Sequence, residues 1–324
     1  MELGSDVLSA WELGSGAAPL GEGHINDTWL VPGRTGNRVL QRLNLRVFAD
    51  PSLVMSNVER VVRHLNNRAP GWVPQVLQTV HGRSAYVDGE GQWWRCWTHV
   101  VDGRVLPELQ TPEQAHTAGW VFGRTQALLK DLPGPRLKDT IGDFLRLQHY
   151  LAEYDCVADA SVPQSVQAEH DVVMARRSRF DQSLIEPNAY IHGDCKLNNL
   201  LFSSAGQVAA VVDLDTVMWG HWAWDLGDLI RSAVIRKGAL WVDGFAALVS
   251  GFREGSEEDR AGEVCVLAPQ HVCYMLGVRY LTDYLNGNQY FKVSASDENL
   301  VRARRQFTAL KLLQEQEHTL LRRI

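Results

Sequence analysis

IHGDCKLNNLLF, Ile191 to Phe202, followed by VAAVVDLDTV, Val208 to Val217, decides how this chain is read. It holds an acid at Asp194, an amide at Asn199 and a second acid at Asp213. Apolar residues frame the first segment, Ala189 to Ile191 before it and Leu200 to Phe202 at its end. Val208 to Val212 predicts a buried strand that ends at Asp213. A polar loop, a hairpin and a strand-end carboxylate are thus expected side by side. Phosphoryl transfer needs such a set: one carboxylate takes the proton of a hydroxyl, while an amide oxygen and another carboxylate hold the magnesium that bridges the phosphates. A polar turn between buried strands would explain a bare Asp and Asn, but not the spacing, the apolar frame and the second acid together.

A kinase catalytic loop reads H-R-D-L-x-x-x-N, with its metal-binding Asp on a later strand end. His192-Gly193-Asp194 and Asn199 reproduce that offset, with Gly193 in place of the Arg. The stretch resembles the aminoglycoside phosphotransferase family, marked by H-G-D-x-x-x-x-N and then a strand ending in Asp. The resemblance implies Asp194 as catalytic base and Asn199 with Asp213 as magnesium ligands. Lys196 matches the position where protein kinases keep a Lys on the transferring phosphate, and where antibiotic kinases usually have His. In MWGHWAWDLGDLIRSA, Met218 to Ala233, Asp225 resembles the family's structural Asp that ties down the catalytic loop, with His192 as further support. Trp219, Trp222 and Trp224 are read as core.

Composition narrows the partners. The 324 residues suit one large or two coupled lobes, and 45% hydrophobic with 22% charged residues is ordinary for a globular enzyme. The net charge is −6, and the basic block that stands out, Arg302 to Arg305, is expected on the solvated face of a helix, which argues against a nucleic-acid partner. Five cysteines without a C-x-x-C pair suit a reducing compartment. The start MELGSDVLSAWELGSG has neither the basic nor the apolar part of a signal peptide, and no apolar run reaches transmembrane length. The expectation is a cytoplasmic protein without a membrane partner.

The first hundred residues read as strands with one helix. LGEGHIND, Leu20 to Asp27, precedes a strand at Thr28 to Val31, and the turn PGRTGN returns the chain into Val39 to Leu43. Gly21 and Gly23 could let backbone N–H groups approach phosphates, although the same glycines would also serve a surface turn. Asp50-Pro51 predicts a helix start, and Val54, Val58, Val61 and Leu65 mark its buried face. Kinases pair a strand Lys with a Glu on such a helix. Here Glu59 lies on the helix, but Gln41 stands where the Lys would align, with Arg42 beside it. Only one of the two can face a nucleotide, because successive strand residues point to opposite faces. Strands are expected around Val76, Tyr86 and Trp93 to Thr98. Thr98 to Val100 then leads into the turn Asp102-Gly103-Arg104, a hinge whose backbone would read an adenine edge.

Thr111-Pro112-Glu113-Gln114 is a capping box that opens an amphipathic helix through Ala115, Ala118, Phe122, Thr125 and Leu129. Residues 131 to 187 exceed a simple connection, carry helical stretches at Phe144 to Tyr154 and Val172 to Ile185, and are the expected place for substrate-specific structure. Asp139 and Asp143 there could bind a polyol or lie on a solvated face. Asp297 to Leu313 reads as a last helix.

Further blocks narrow the resemblance. GEGHINDTWLV, VLQRLNLRVFADPSLVMSNVERVVRHL, HGDCKLNNLLF, VVDLDTVMWG and RYLTDYLNGNQYFKV are similar to bacterial N-acetylhexosamine 1-kinases and their relatives, from Gly21 to Val293. The implied fold is α+β and two-lobed, protein-kinase-like. It has a small antiparallel-sheet lobe with one helix at 1–100 for the nucleotide, and a mainly helical lobe at 101–324 for catalysis and substrate. The implied activity is ATP- and magnesium-dependent phosphorylation of the anomeric hydroxyl of a free hexosamine. Asn26, Asp27, Asp139 and Arg231 are candidates to hold the sugar; loop capping and helix-surface pairing would explain them equally without it. Trp219 and Lys138 depart from the Pro and His expected there. The alternatives are a kinase of an aminoglycoside, choline or homoserine, and a catalytically silent binding module. A phosphoesterase using His192, Asp194, His221 and Asp225 lacks recognisable ligand spacing.

Overall fold

Alternation builds the sheet. In Asp27–Gly33 the side chains of Trp29 and Val31 are buried while Thr28 and Leu30 are half-buried, as a strand with one face on a core requires. The computed structural model describes residues 3–20, 25–158, 162–236 and 238–324, so Gly21 and Gly23 lie outside the described residues. This strand pairs antiparallel with Gly36–Arg42, from Asp27 opposite Arg42 to Gly33 opposite Gly36. Pro32 and Asn37 therefore belong to the ladder, and the turn is shorter than PGRTGN suggested. Gly36, at φ +102°, takes the left-handed conformation that a tight hairpin demands. Trp93–Thr98 pairs with Gly36–Arg42 and also with the short strands Val76–Leu77 and Tyr86–Val87; Ala18–Pro19 closes the other edge of this six-stranded sheet. One face buries Trp29, Val31, Leu40, Trp94 and Cys96 with Val7 from the short helix Ser5–Ser9 and Trp11 just after it.

Asp50 caps the helix Pro51–Arg68 by accepting the Leu53 N–H at 3.0 Å. Val54, Val58, Val61 and Leu65 are fully buried along one stripe. Two later segments complete this compact unit, which otherwise runs up to Val105. Residues 131–142 are tied to the helix, Arg68 to Asp131 at 2.6 Å and Asn57 Nδ2 to the Lys138 carbonyl at 2.8 Å. Residues 199–218 supply the hairpin of Leu200–Phe202 and Val208–Val211. The stretch 131–187, one connection in the sequence, is thus divided after Gly142 between the two units.

The second unit, residues 106–130, 143–198 and 219–324, is mainly helical. Thr111 caps Pro112–Leu129 by accepting the Gln114 N–H at 3.3 Å, while Gln114 Oε1 reaches back to the N–H of Gln110 at 2.6 Å. A methyl group on Gly119 or Gly123 would collide with the backbone of Leu248 or Phe252, and one on Gly251 or Gly255 with that of His116 or Trp120. Pro112–Leu129 and Val242–Ser256 therefore meet backbone to backbone. The 24-residue helix Gly262–Leu285 is buried nearly all round by Leu147–Ala158, Trp222–Ala233 and Glu298–Glu315.

Two expectations shift. Leu147–Ala158 starts later than Phe144 because Asp143 and Leu145 hold left-handed backbone, φ +53° and +61°. Gln167–Phe180 begins and ends before the expected Val172 to Ile185, and Leu184 beyond it is left-handed at φ +52°. In Glu298–Glu315, Leu300, Ala303, Phe307 and Leu310 are buried and Arg304 and Arg305 exposed, as expected, with Arg302 and Arg304 paired to Glu298 and Glu169. Among the described residues, no helix is long and apolar enough to cross a membrane.

Candidate active site

The helix Trp222–Ala233 holds the loop that carries Asp194. Its N-cap, His221, accepts the Ala223 N–H on Nδ1 at 3.2 Å, and burial with the nearby Arg260 charge holds its pKa down at about 4, so it is the neutral acceptor a cap requires. Asp225 is buried in the first turn. Its Oδ2 receives the His192 N–H at 2.8 Å and the Gln126 amide at 2.9 Å; its Oδ1 receives the Gly193 N–H at 2.9 Å. Ser232, seven residues on, accepts the Leu197 N–H on Oγ at 3.1 Å. Positions 225 and 232 share a helix face, so the loop 192–197 is stitched to that face at both ends. Burial pushes the Asp225 carboxyl above the ordinary carboxylate range, opposed by His192 and by the N–H donors. All three of those partners donate, so the ionised carboxylate is the form that satisfies them.

Gly193 sits at φ +81°, a conformation that glycine adopts freely and an Arg would not. Beyond it the loop alternates. Cys195 and Leu197 turn inward and are buried, whereas Asp194 and Lys196 turn outward, 22% and 29% exposed, with Nζ 2.7 Å from Asp194 Oδ2. Burial and the Asp225 charge push the Cys195 thiol well up, leaving it an inert packing group. His192 is fully buried, edge-on to Phe122, and takes the Asp194 N–H on Nδ1 at 3.3 Å.

Asn199 and Asp213 belong to the sheet-bearing unit. Leu200 lies opposite Val211 in the hairpin, and the next residue, Val212, donates its N–H to the Asn199 carbonyl at 3.0 Å. Asn199 and Asp213 therefore flank the same end of one ladder. Asp213 is exposed and left-handed, φ +65°, and Leu214 to Met218 beyond it are buried.

Asp215 lies in that buried run. Its carboxylate meets Arg95 through both guanidinium nitrogens, at 2.5 and 2.8 Å, and takes the Asn26 amide at 2.9 Å. Arg95 Nε and Trp97 Nε1 both donate to Gln41 Oε1, at 3.0 and 2.7 Å, and Gln41 Nε2 donates to Thr28 Oγ1 at 3.1 Å. Gln41 thus shares a sheet face with Arg95, while Arg42 pairs with Asp27 at 2.6 Å across the hairpin. Arg95 and Asp215 did not emerge from the sequence. A D-x-D at 213–215 and an Arg inside the aromatic strand WWRCWT were their only signal.

The remaining sequence candidates have defined places. Asn26 uses its amide at both ends, its Oδ1 accepting the Asn44 N–H at 3.0 Å. Glu59 accepts a hydrogen bond from Ser84 Oγ, and both line a groove of about 860 Å³ that includes none of Asp194, Asn199 and Asp213. Thr98 exchanges hydrogen bonds with Gln75, N–H to carbonyl and N–H to Oγ1, both at 2.9 Å. The Val100 carbonyl takes the Gly103 N–H at 3.2 Å. Asp139 is half-buried beside Thr140, whose hydroxyl donates to the Asp215 carbonyl at 2.6 Å. Arg231 donates twice to Asp228, at 2.9 and 2.6 Å; burial disfavours its charge, but the Asp228 carboxylate raises its pKa above the usual Arg value.

The phosphotransferase enzyme family matches residues 16–261. Among solved structures, the chain is similar to the amicoumacin kinase hAmiN in complex with AMP-PNP, Ca2+ and Ami, with a TM-score of 0.64 and 15% identity over 93% of this chain and 88% of that one. It is similar to the GDP complex of aminoglycoside 2'-phosphotransferase-IIIa, with a TM-score of 0.63 and 12% identity over 91% of this chain and 93% of that one. It is also similar to a choline/ethanolamine kinase family protein from Mesorhizobium loti, with a TM-score of 0.61 and 16% identity over 95% of this chain and 92% of that one. Likeness at such identities establishes the fold, a protein-kinase-like one with an antiparallel-sheet unit and a mainly helical unit.

Proposed function

The chain belongs to the phosphotransferase enzyme family, and from that premise we propose that it is an ATP- and magnesium-dependent small-molecule kinase acting on the anomeric hydroxyl of a free amino sugar such as an N-acetylhexosamine. The observation that carries the kinase reading is the loop 192–197, fixed through Asp225 so that Asp194 points outward with Lys196 at 2.7 Å. Asp194 accepts the proton of the acceptor hydroxyl as its oxygen bonds to the γ-phosphorus and the bond from that phosphorus to ADP breaks. Little proton transfer is needed early in a loose transition state, and a hemiacetal hydroxyl is more acidic than an ordinary alcohol, so a single carboxylate suffices. Lys196 keeps the base in place and can exchange its carboxylate contact for a phosphate oxygen.

Asn199 and Asp213 fit a magnesium ion: both offer hard oxygen donors, they flank one end of a hairpin, and magnesium typically takes one or two carboxylates plus phosphates and water. When bound, the ion neutralises charge on the phosphates. The acceptor assignment rests on the resemblance of the sequence blocks. Asp27, Asp139 and the Asp228–Arg231 pair are the groups proposed to meet the sugar, by directed hydrogen bonds that position the reacting hydroxyl. The test is to incubate the protein with Mg·ATP and N-acetylglucosamine or N-acetylgalactosamine, with choline and an aminoglycoside in parallel, and to identify the product by phosphorus NMR. A sugar 1-phosphate is expected. A phosphate on the 6-hydroxyl, or consumption of choline or the antibiotic instead, would overturn the acceptor and leave the kinase.

A further inference from the structure

We infer that buried Asn26, Arg95 and Asp215 and half-buried Gln41 form an assembly that positions Asp213 for its metal, an assignment that rests on the proposed metal role of Asp213 and gives Asn26 and Gln41 work other than contacting sugar or nucleotide. Asp213 is exposed yet left-handed, at φ +65°, a region that non-glycine residues occupy only when their surroundings hold them there. On its N-terminal side the hairpin holds it, through Val212 N–H to the Asn199 carbonyl at 3.0 Å. On its C-terminal side Asp215, two residues on, is held by three hydrogen bonds to its carboxylate and, at its carbonyl, by Thr140 at 2.6 Å.

The side chains of Arg95 and Asp215 are each 1% exposed, so neither is available to a dissolved ligand. Their fork-to-fork pairing is directional, and therefore fixes orientation where apolar packing would let the segment slide. Arg95 is fixed in turn by Gln41 at 3.0 Å and by the Trp97 ring, whose centroid lies 4.8 Å from its guanidinium carbon. Asn26 spends its amide nitrogen on Asp215 and its amide oxygen on Asn44, so its position is set from both ends.

Calorimetry of AMP-PNP binding, with and without magnesium and with no acceptor present, tests the assembly on wild type, Asp213→Asn, Asn26→Ala and the double variant Arg95→Met, Asp215→Leu. The double variant replaces the buried charges together, which keeps the fold where a single removal would strand a charge. Asn26→Ala is expected to weaken magnesium-supported affinity roughly tenfold, the lower end for loss of a group that supports a metal ligand, and the double variant more. Metal-free affinity should stay within about twofold, which a merely structural defect in nucleotide binding would not give. If Asp213→Asn loses magnesium-supported affinity while Asn26→Ala and the folded double variant keep it, the metal role stands and the positioning assembly is rejected. If Asp213→Asn itself keeps that affinity, the metal role falls and this inference falls with it.

Discussion

Asp194 and Asp213 are presented by opposite means. Before Asp194 the left-handed residue is Gly193, φ +81°, and the loop is held by backbone N–H groups converging on the lone carboxylate of Asp225. In the other unit the left-handed residue is Asp213 itself, φ +65°, and the side chains that hold its neighbour form the ion pair of Arg95 and Asp215. Where the turning residue carries no chemistry, glycine removes the strain. Where it carries the carboxylate, the strain is accepted and neighbouring side chains must hold it. Neutral donors hold the first loop and opposite charges hold the second, so the two should fail differently.

The largest expected effect separates the proposed base from the proposed ligand. Asp194→Asn keeps shape but removes the proposed proton acceptor, and should lower kcat by roughly 10³-fold while leaving Mg·AMP-PNP affinity near wild type. Asp213→Asn should do the reverse in binding, weakening magnesium-supported affinity. Steady-state kinetics beside calorimetry reads both. Turnover of Asp194→Asn within a few-fold of wild type would erase the distinction.

Next comes the support of the first loop. Asp225→Ala strands the N–H groups of His192 and Gly193 and the amide of Gln126 in a buried site, and each such donor costs about 1–3 kcal/mol. A loss of roughly 3 kcal/mol or more in urea unfolding is expected, with a smaller loss for Asp225→Asn, which keeps one oxygen acceptor. Equal stability of the two variants would mean that the loop is not held through this carboxylate.

How much of this was legible in the sequence follows from separation along the chain. The loop motif is a local pattern, and so are the caps at Asp50 and Thr111, the hairpin at 27–42 and the apolar stripe of Val54 to Leu65, whose geometry matches the reading. The Arg95–Asp215 pair spans 120 positions, and nothing near either residue names the other. The helices Val242–Ser256 and Gly262–Leu285 were not read, the first because Gly251 and Gly255 make sense only against Gly119 and Gly123, the second because its apolar residues surround it instead of forming a stripe. The division after Gly142 depends on Asn57 and Arg68 reaching across to 131–142, contacts that no composition change announces.

A third prediction concerns the helical unit's neutral histidines. Burial, with His221 nearby, pushes His271 down to about 3, and burial with Arg260 pushes His221 down to about 4. Unfolded histidine titrates near 6.5, so on acidification the unfolded chain takes up these protons first. Their contribution is complete above about 6.5 and is lost as pH falls toward 4 and then 3, at about 1.4 kcal/mol per pH unit for each. Urea midpoints at successive pH values check this, and His271→Gln should flatten the slope. An unchanged slope would show that His271 is not the group responsible.

The smallest effect tests the comparison at its root. Gly193→Ala places a β-carbon on a left-handed backbone and should destabilise by about 1 kcal/mol, with a lower kcat because Asp194 follows directly. At position 213 the order should invert. Asp213→Gly releases the left-handed strain but loosens the unfolded chain, two terms of similar size, so stability should stay within about 0.5 kcal/mol of wild type even as magnesium-supported binding is lost. Asp213→Ala keeps the strain without the short polar side chain that tolerates it, and should be the less stable of the two. Urea unfolding of the three variants decides it. If Asp213→Ala is as stable as Asp213→Gly, the conformation at 213 is not strained, and the reason for a buried ion pair beside it must lie elsewhere.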